Sequence, residues 1–398
     1  MEYTNERRTV RKKRKKVIKR KRKKSKYCIT LSLTFLFLIS QISIMNIIHK
    51  NKQISVLENR TLQQMPKFSM SSFFEGDFSS KFENYISDQF PGRDFWIKLK
   101  AKTEIMVGEN KINNVYLGED NYLIEDFKKN DNSILTEKIN NINNFANKNN
   151  GLNVSFMLVP TASEILKDKL PKYAPVDSQI EYINNVKKNL TANINFIDVV
   201  DDFKEHKNED LYYKTDHHWT TKGAYIAYVH MCKQLGIKYL TEDKFDVEDV
   251  TNDFYGSLYY KMGTGIGKPD TIKIYAPKYE NNIVVNYVNE EKKVASLYNN
   301  SKLDGKEKYE VFTDGNHPLI NIRTDGDYKK KLLVIKDSYA NSFIPFLTTH
   351  YGEIDVVDLR YYVDNLDYLI ENDVITDVLF LFNVNTFDED NSILNISE

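Results

Sequence analysis

Residues 330–347 read KKLLVIKDSYANSFIPFL, and they predict a buried strand that leads directly into a helix. The apolar run LLVI (332–335) is short and uninterrupted, which is typical of a strand covered on both faces of a sheet. Lys336 and Asp337 form the turn, and Ser338 opens the helical pattern. This order of strand and helix recurs along much of the chain, so it determines the fold class.

The alternation of strands and helices begins at residue 131. Helical spacing is found at 131–149, 179–190, 221–235 and from about 339, and the apolar runs are VSFMLVP (154–160), NFIDVV (195–200), LLVI (332–335), IDVVDL (354–359) and DVLFLF (377–382). Short apolar strands that alternate with helices are typical of a mainly parallel sheet with helices on both faces. We therefore expect an α/β fold.

Residues 237–330 interrupt this alternation. They are rich in β-type and loop-type sequence, including TIKIYA (271–276) and NIVVNYV (282–288), and we expect an insertion between two halves of the α/β core. Glycines at 263, 265 and 267 match neither GxGxxG nor a P-loop. We expect a flexible loop at these glycines and no cofactor.

The charge of the chain is unevenly distributed. Its 398 residues carry 56 Lys+Arg and 56 Asp+Glu, but the first 26 residues hold 15 of the basic residues and only two acids. The remainder is therefore acidic, which argues against nucleic-acid binding by the folded part. Two cysteines, Cys28 and Cys232, exclude a disulfide-rich scaffold.

Residues 27–48, YCITLSLTFLFLISQISIMNII, are uncharged and long enough to span a bilayer. The basic tail 1–26 precedes them directly, so the N-terminus should be cytoplasmic and the rest extracytoplasmic. A cleaved signal peptide would have a shorter apolar core and a small-x-small site. We expect a single-pass anchor in the cell membrane, a region 49–130 packed on the core, and an α/β domain at 131–398.

The segment LYYKTDHHWTTKGAYIAY (211–228) places Asp216 and His218 just before a helix that Thr220 or Thr221 can cap. A carboxylate two residues from an imidazole can hold the ring while its other nitrogen faces a substrate, as the orienter and base of a catalytic triad do. The alternative is a capped helix start with solvated polar residues.

Ser338 is the candidate nucleophile. At the end of a parallel strand its hydroxyl should be exposed, and the N–H groups of Ser338 and Tyr339 should point outward to hold an oxyanion. The alternative is a structural N-cap serine, and the turn lacks the glycines of a GxSxG elbow. Only the combination of Ser338 with His218 and Asp216 supplies nucleophile, base and orienter.

DHHW (216–219) together with KDSY (336–339) resembles the DHHW family, a branch of the SGNH-like acyltransferases similar to the J and X proteins of alginate O-acetylation. Further landmarks are ENR (58–60), SDQFPGRDFW (87–96), VPTAS (159–163), KDSYANSFIPFL (336–347) and VVDLRYY (356–362). The resemblance implies an SGNH-type sheet in permuted order, because the Asp–His block precedes the serine.

The resemblance also implies that Ser338 is the nucleophile, His218 the base and Asp216 its orienter. His217 occupies the variable position of D-x-H, and Lys336 replaces the glycine that often starts the turn. A remaining oxyanion donor is expected among four asparagines, for which capping or turn roles are the alternative: Asn316, Asn341, Asn383 and Asn385.

Two further side chains are candidates for substrate contact. Arg360, at the end of its strand, can meet an anionic sugar or pair with Asp358. Trp219 is expected to form a wall of the site rather than a platform for a sugar ring.

The expected reaction is O-acetylation of a cell-surface or secreted polysaccharide through an acyl-serine. The resemblance implies a multi-pass membrane-bound O-acyltransferase as the partner that supplies the acyl group. The alternatives are a glycan acetyl esterase with the same triad and a non-catalytic assembly protein. A metal enzyme would need further ligands beside Asp216 and His218, and no HExxH supplies them. We therefore expect no metal.

Overall fold

A computed structural model describes residues 2–48, 50–55, 60–279 and 282–396. The chain divides into two compact units, Met1–Ile97 and Lys98–Glu398. The boundaries expected from the sequence at 26, 48 and 130 remain predictions. Residues 58 and 59 of the ENR motif lie outside the described residues.

The first unit begins with a long helix. Its segment Lys26–Asn46 is long and apolar enough to span a membrane, with none of its residues buried, as expected for a single-pass anchor. Two short strands, β1 and β2, pair antiparallel after it. The elements are α1 (Glu2–Ile48), β1 (Ile54–Ser55), β2 (Arg60–Thr61), α2 (Met70–Phe74) and α3 (Asp77–Asp88), followed by α4 (Arg93–Met106), which continues past Ile97.

The second unit is built on an eight-stranded sheet. Its strands, with those of two smaller sheets, are β3 (Lys111–Ile112), β4 (Val115–Leu117), β5 (Leu123–Glu125), β6 (Asn153–Val159), β7 (Ile194–Ile197), β8 (Phe245–Phe254), β9 (Asp270–Pro277), β10 (Val284–Tyr287), β11 (Lys292–Val294), β12 (Leu319–Arg323), β13 (Lys331–Lys336), β14 (Glu353–Val357) and β15 (Asp377–Asn383). The helices are α5 (Asn132–Lys148), α6 (Ala162–Ile165), α7 (Gln179–Asn189), α8 (Val200–Glu205), α9 (Thr221–Leu235), α10 (Ser257–Met262), α11 (Ile344–Leu347), α12 (Leu366–Asn372) and α13 (Val384–Glu389).

The large sheet is mixed, in the order β11-β10-β12-β14-β13-β15-β6-β7. Strands β14, β13, β15, β6 and β7 run parallel to one another. Strands β12, β10 and β11 continue the sheet in antiparallel pairs. These three strands come from the segment expected to be an insertion, so the segment is partly an extension of the core sheet. The short connection between β10 and β11 holds no crossover helix, which parallel neighbours would require.

Strand β13 is covered on both faces, as its sequence predicts. Leu332 and Val334 point into one core cluster, which includes α9, while Leu333 and Ile335 point into the other, which includes α5 and α7. All four side chains are at most 2% exposed. This complete burial fixes the end of β13, and with it the position of Ser338.

The ends of α9 follow the sequence prediction. The Thr220 hydroxyl accepts a hydrogen bond from the N–H of Gly223 at 3.2 Å and caps the helix start. Gly236 ends the helix with φ of 66°, a left-handed conformation that glycine adopts without strain. The cap places residues 216–219 immediately before the first turn of α9.

The helix expected from about residue 339 begins later than predicted. Residues Ser338–Ser342 form a 3₁₀ turn, and only Ile344–Leu347 is α-helical. Asp337, not Ser338, is the N-cap, and its Oδ1 accepts from the N–H of Tyr339 at 2.9 Å. The Ser338 hydroxyl is therefore not consumed in capping.

Candidate active site

The serine of one segment and the histidine of the other meet at a cavity of about 230 Å³. Ser338 follows β13, and His218 lies in the loop before α9. Sixteen residues line the cavity: Asp216, His217, His218, Phe254, Tyr255, Gly256, Ser257, Lys306, Glu307, Tyr309, Glu310, Gly315, Asn316, Ser338, Asn341 and Arg360. Many of them come from the 237–330 segment, so this segment forms much of the site.

Ser338, His218 and Asp216 form a continuous hydrogen-bonded chain. His218 Nε2 lies 2.7 Å from Ser338 Oγ, and His218 Nδ1 lies 2.5 Å from Asp216 Oδ1. The Asp216 carboxylate also accepts from the N–H of His218 at 2.9 Å and from the N–H of Ser257 at 2.7 Å. This geometry is that of a nucleophile, a base and an orienter.

The Asp216 loop depends on a close approach by the 237–330 segment. A Cβ on Gly256 would lie 2.2 Å from the Cβ of Asp216, so no other residue fits there without moving the loop. The N–H of Gly256 donates to Thr215 Oγ1 at 3.0 Å, and that hydroxyl donates to Asp270 Oδ2 at 2.5 Å. These contacts fix the carboxylate at the distance that His218 needs.

Tyr309 is a site residue that sequence reasoning missed. Its ring stacks on that of His218, with centroids 3.8 Å apart and planes at 10°. Its hydroxyl donates to Ser342 Oγ at 3.0 Å. No local motif marks Tyr309, because only the tertiary fold brings its segment against the His218 loop.

Burial and neighbouring groups together determine the protonation states of Asp216 and His218. Burial raises the pKa of Asp216, but the adjacent His218 and His217 and the hydrogen bonds outweigh it and hold that pKa below its usual range. Burial and the charge of His217 lower the pKa of His218 more than Asp216 raises it. His218 is therefore neutral at neutral pH, the state in which its Nε2 can accept the proton of Ser338.

Two residues that were expected at the site, Trp219 as a wall and Tyr339 as an oxyanion donor, are instead part of the core. Trp219 is completely buried and donates from Nε1 to the carbonyl of Tyr339 at 2.9 Å, so it does not line the cavity. Tyr339 is also completely buried, with its hydroxyl donating to the His217 carbonyl at 2.6 Å. Its N–H donates to Asp337, so it is not free to hold an oxyanion.

The asparagines at and just beyond the end of β15 do not supply the oxyanion donor either. Asn385 does not line the cavity, and its Nδ2 donates to the carbonyl of Asp126 at 3.2 Å. Asn383 uses Nδ2 to bond Asp337 Oδ2 at 2.6 Å and Thr386 Oγ1 at 2.7 Å. Both are buried, and they anchor the strand ends around the site.

Arg360 lines the cavity and also pairs with Asp358. Its Nε lies 2.8 Å from Asp358 Oδ1 and its Nη2 lies 2.6 Å from Oδ2, a bidentate pair. Asn341 and Asn316 line the cavity as well. Arg360 was expected either to meet an anionic sugar or to pair with Asp358, and the structure contains the pair with Asp358.

Asp216, His217 and His218 also bring three potential metal-ligand atoms within 4.8 Å of one another. Their atoms are engaged in hydrogen bonds, however, since Asp216 Oδ1 holds His218 Nδ1 and His217 Nδ1 lies 2.6 Å from Ser257 Oγ. The donor set therefore fits a triad better than a cation site.

Solved structures that match this chain with TM-scores above 0.6 share its fold. A DHHW family protein from Eubacterium siraeum has a TM-score of 0.63 at 24% identity, over 72% of this chain and 96% of that one. Bacillus cereus PatB1 with a sulfonyl adduct has a TM-score of 0.61 at 22% identity, over 71% and 98%. The O-acetyltransferase domain of Pseudomonas putida AlgJ has a TM-score of 0.45 at 16% identity, over 70% and 93%.

No curated protein matches the chain. The family described as "DHHW protein" matches residues 58–119 and 99–357, which together are well over half of the chain. The DHHW motif and the serine turn lie within this match. The chain therefore belongs to the DHHW family.

Proposed function

We propose that the protein is a membrane-anchored, extracytoplasmic O-acetyltransferase that acts on a cell-surface or secreted polysaccharide through an acyl-Ser338 intermediate. The observation that carries the proposal is the chain Ser338 Oγ–His218 Nε2 at 2.7 Å and His218 Nδ1–Asp216 Oδ1 at 2.5 Å. Ser338 is only partly buried and lines a cavity, so an acyl donor can reach its hydroxyl.

The reaction divides into two transfers at Ser338. In the first, His218 Nε2 takes the hydroxyl proton while Ser338 Oγ attacks the acyl carbon, and it then returns the proton to the leaving group. In the second, His218 takes a proton from a sugar hydroxyl while the sugar oxygen attacks the acyl carbon. The bond between that carbon and Ser338 Oγ then breaks, and His218 returns the proton to Ser338 Oγ. Asp216 holds the imidazole in the required tautomer throughout.

The N-terminal part supports an extracytoplasmic placement. The apolar segment Lys26–Asn46 follows a strongly basic tail, and basic residues favour the cytoplasmic side. Because acetyl-CoA is not expected on the far side of the membrane, the acyl group must be delivered across it. A multi-pass membrane-bound O-acyltransferase suits that role, and the anchor would keep this domain beside it.

Covalent trapping tests the proposal. The full chain, in detergent or vesicles, is mixed with 4-nitrophenyl acetate and then digested. Mass spectrometry shows whether the peptide that contains Ser338 has gained the mass of one acetyl group. We expect acetylation in the wild type and none in Ser338→Ala at equal thermal stability. A wild type that acquires no acetyl group on Ser338 would refute the mechanism and favour a non-catalytic role.

The choice of acceptor is tested in the same system. Soluble acetyl-free oligosaccharide is added to the acylated enzyme, and transferred acetate is compared with free acetate. Acetylated oligosaccharide identifies a transferase. Release of acetate into water at a rate that added oligosaccharide does not change would contradict transferase activity and identify an esterase.

A further inference from the structure

Lys336, which stands where a glycine often begins the serine turn, has a completely buried side chain. Its Nζ lies 2.8 Å from Asn316 Oδ1, 2.8 Å from Asn341 Oδ1 and 3.5 Å from Asp358 Oδ2. An ammonium group has three donors and no acceptor, so these three oxygens account for all of its hydrogens. The position of the Lys336 ammonium group is thus fixed by three contacts at the start of the serine turn.

The ammonium group also fixes the orientation of both amides. Since Lys336 can only donate, Asn316 and Asn341 must each turn their oxygen toward it. Asn341 Nδ2 then donates to Asn316 Oδ1 at 3.1 Å and to the carbonyl of Gly315 at 3.4 Å, so its two hydrogens are used. Asn341 is therefore a support and not a free donor to the cavity.

Of the donors on Lys336, Asn341 and Asn316, the amide nitrogen of Asn316 is the one that has no acceptor among the described residues. Its oxygen accepts from both Lys336 and Asn341, which forces Nδ2 to the opposite side. Within residues 60–279 and 282–396, no acceptor bonds this nitrogen. Asn316 is exposed and lines the same cavity as Ser338. An unused donor at the serine cavity is what an oxyanion requires.

The loop that carries Asn316 has an unusual backbone. Thr313, Asp314 and Gly315 have φ of 56°, 58° and 99° in succession, although a β-branched threonine rarely adopts positive φ. Thr313 Oγ1 donates to the Gly315 carbonyl at 3.0 Å, and Asp314 accepts from Asn299 Nδ2 at 2.7 Å. Strained backbone that is held in this way is concentrated at functional sites.

We propose that Lys336 is a positioning residue that holds the Asn316 amide so that its Nδ2 stabilises the oxyanion formed at Ser338. This inference rests on the proposed acyl-serine reaction. The N–H of Ser338 is the second donor, since no acceptor in the described part of the chain bonds it. As the tetrahedral oxygen gains negative charge, Asn316 donates to it, and Lys336 strengthens that bond by polarising the amide oxygen.

Neighbouring charges keep Lys336 in place. Asp358 is completely buried and shared between Lys336 and Arg360. Burial lowers the pKa of Lys336 to about 8 while Asp358 opposes the change, so the ammonium remains mostly charged at neutral pH. The Asp337 carboxylate beside it is held by Asn383 and Tyr339.

A double-mutant cycle tests whether Lys336 acts through Asn316. The acetylation rate of Ser338 by 4-nitrophenyl acetate is measured in the full chain for Lys336→Met, Asn316→Ala and both together. Loss of one oxyanion donor typically slows such a step by about 10²–10³-fold. We expect a loss of that order in Asn316→Ala and a loss of about tenfold or more in Lys336→Met. The double variant should be no slower than Asn316→Ala alone.

A merely structural lysine would give a different result. Its effect would multiply with that of Asn316→Ala, and this outcome would overturn the inference, as would an Asn316→Ala enzyme that keeps its full rate. Lys138→Met is the matched control, because Lys138 is another buried lysine whose Nζ bonds the carbonyls of Phe387 and Asp388. It should lose stability but keep its acetylation rate.

If Lys336→Met does not fold, two further variants still allow the role of Lys336 and Asn316 to be tested. Lys336→Gln retains a donor without the charge, and Asn316→Asp removes the donor while preserving the contact with Lys336. We expect both to fold and to slow acetylation, and a full rate in Asn316→Asp would contradict the inference. A wild type without acetyl-Ser338 would instead defeat the proposed function itself, so the two failures are distinguishable.

Discussion

The ring of Tyr309 lies flat against that of His218, with centroids 3.8 Å apart. Tyr309 is almost fully buried, and its hydroxyl bonds Ser342 in the turn after Ser338. One side chain therefore contacts the His218 imidazole through its ring and the serine turn through its hydroxyl. This bridge couples two segments that are far apart in sequence, so Tyr309 should help to set the distance between His218 and Ser338.

Tyr309→Ala and Tyr309→Phe separate these two contacts. We expect Tyr309→Ala to slow acetylation of Ser338 by about tenfold or more, because a stacked pair contributes about 0.5–1.5 kcal/mol and the freed imidazole loses its alignment. Tyr309→Phe keeps the stack and should stay within a few-fold of the wild type. The rates are compared by stopped-flow release of 4-nitrophenol. Equal rates in all three proteins would show that the stack has no part in orienting His218.

The pH dependence of acetylation should report the lowered pKa of His218. Burial lowers the pKa of His218 first, and the charge of His217 lowers it further. Only neutral His218 is a base, so the acidic fall in rate should lie below the ordinary histidine pKa of about 6.5. His217→Gln removes the neighbouring charge and should move this fall to higher pH. An unchanged profile, or a shift to lower pH, would contradict the electrostatic coupling.

The fold was predictable where local pattern and burial agree. The run LLVI is buried on both sides because it is apolar at every position, and α9 ends at Gly236 because a left-handed residue is needed there. The antiparallel extension by β10–β12 was not predictable, since strand order depends on distant pairing and not on local sequence. The helix after β13 begins later than its predicted start at about residue 339, because Ser338–Ser342 adopts 3₁₀ geometry and the short α-helix that contains Pro345 begins at Ile344.

In the candidate site, too, the features set by local sequence were predictable and those set by tertiary packing were not. The approach of His218 to Ser338 was expected from two motifs and is present in the structure, while the catalytic roles remain predictions. Trp219 was expected at the site, but sequence does not reveal which side of a loop a ring packs on. Tyr309 carries no motif at all. Asn316 is one of four asparagines that the sequence alone does not separate, and it differs from Asn341, which also contacts Lys336, because no acceptor in the described part of the chain bonds its amide nitrogen.

The orientation of the chain in the membrane is open to direct labelling. Because basic residues precede the apolar segment, we expect the tail to be cytoplasmic and the large unit outside. Tyr173 is 87% exposed, so Tyr173→Cys in intact cells should react with a membrane-impermeant maleimide, whereas Ser25→Cys should react only after permeabilisation. Cys232 is buried, and the parent chain serves as the background control. The reverse pattern would place the serine site in the cytoplasm and exclude an extracytoplasmic acceptor.

A buried carboxylate in β14 should make stability depend on pH. Asp355 Oδ1 accepts from Asn321 at 2.7 Å, but Oδ2 has no hydrogen-bond partner in the described part of the chain. Burial raises the pKa of Asp355 to about 7, well above that of an aspartate in an unfolded chain. The folded state therefore binds the Asp355 proton more tightly than the unfolded state does. The stabilisation that this proton gives the folded state is fully present below about pH 4 and is lost as the pH rises toward 7.

Asp355→Asn tests this assignment without disturbing the site. The amide oxygen can still accept from Asn321, and no charge is buried at neutral pH, so we expect a gain of about 1–3 kcal/mol at pH 7.5. The gain should shrink as the pH is lowered toward 4, where the wild-type carboxyl is also neutral. Melting temperatures of both proteins across this range provide the measurement. A constant difference between the two curves would mean that Asp355 does not ionise with a raised pKa, because only a titrating group makes the difference depend on pH.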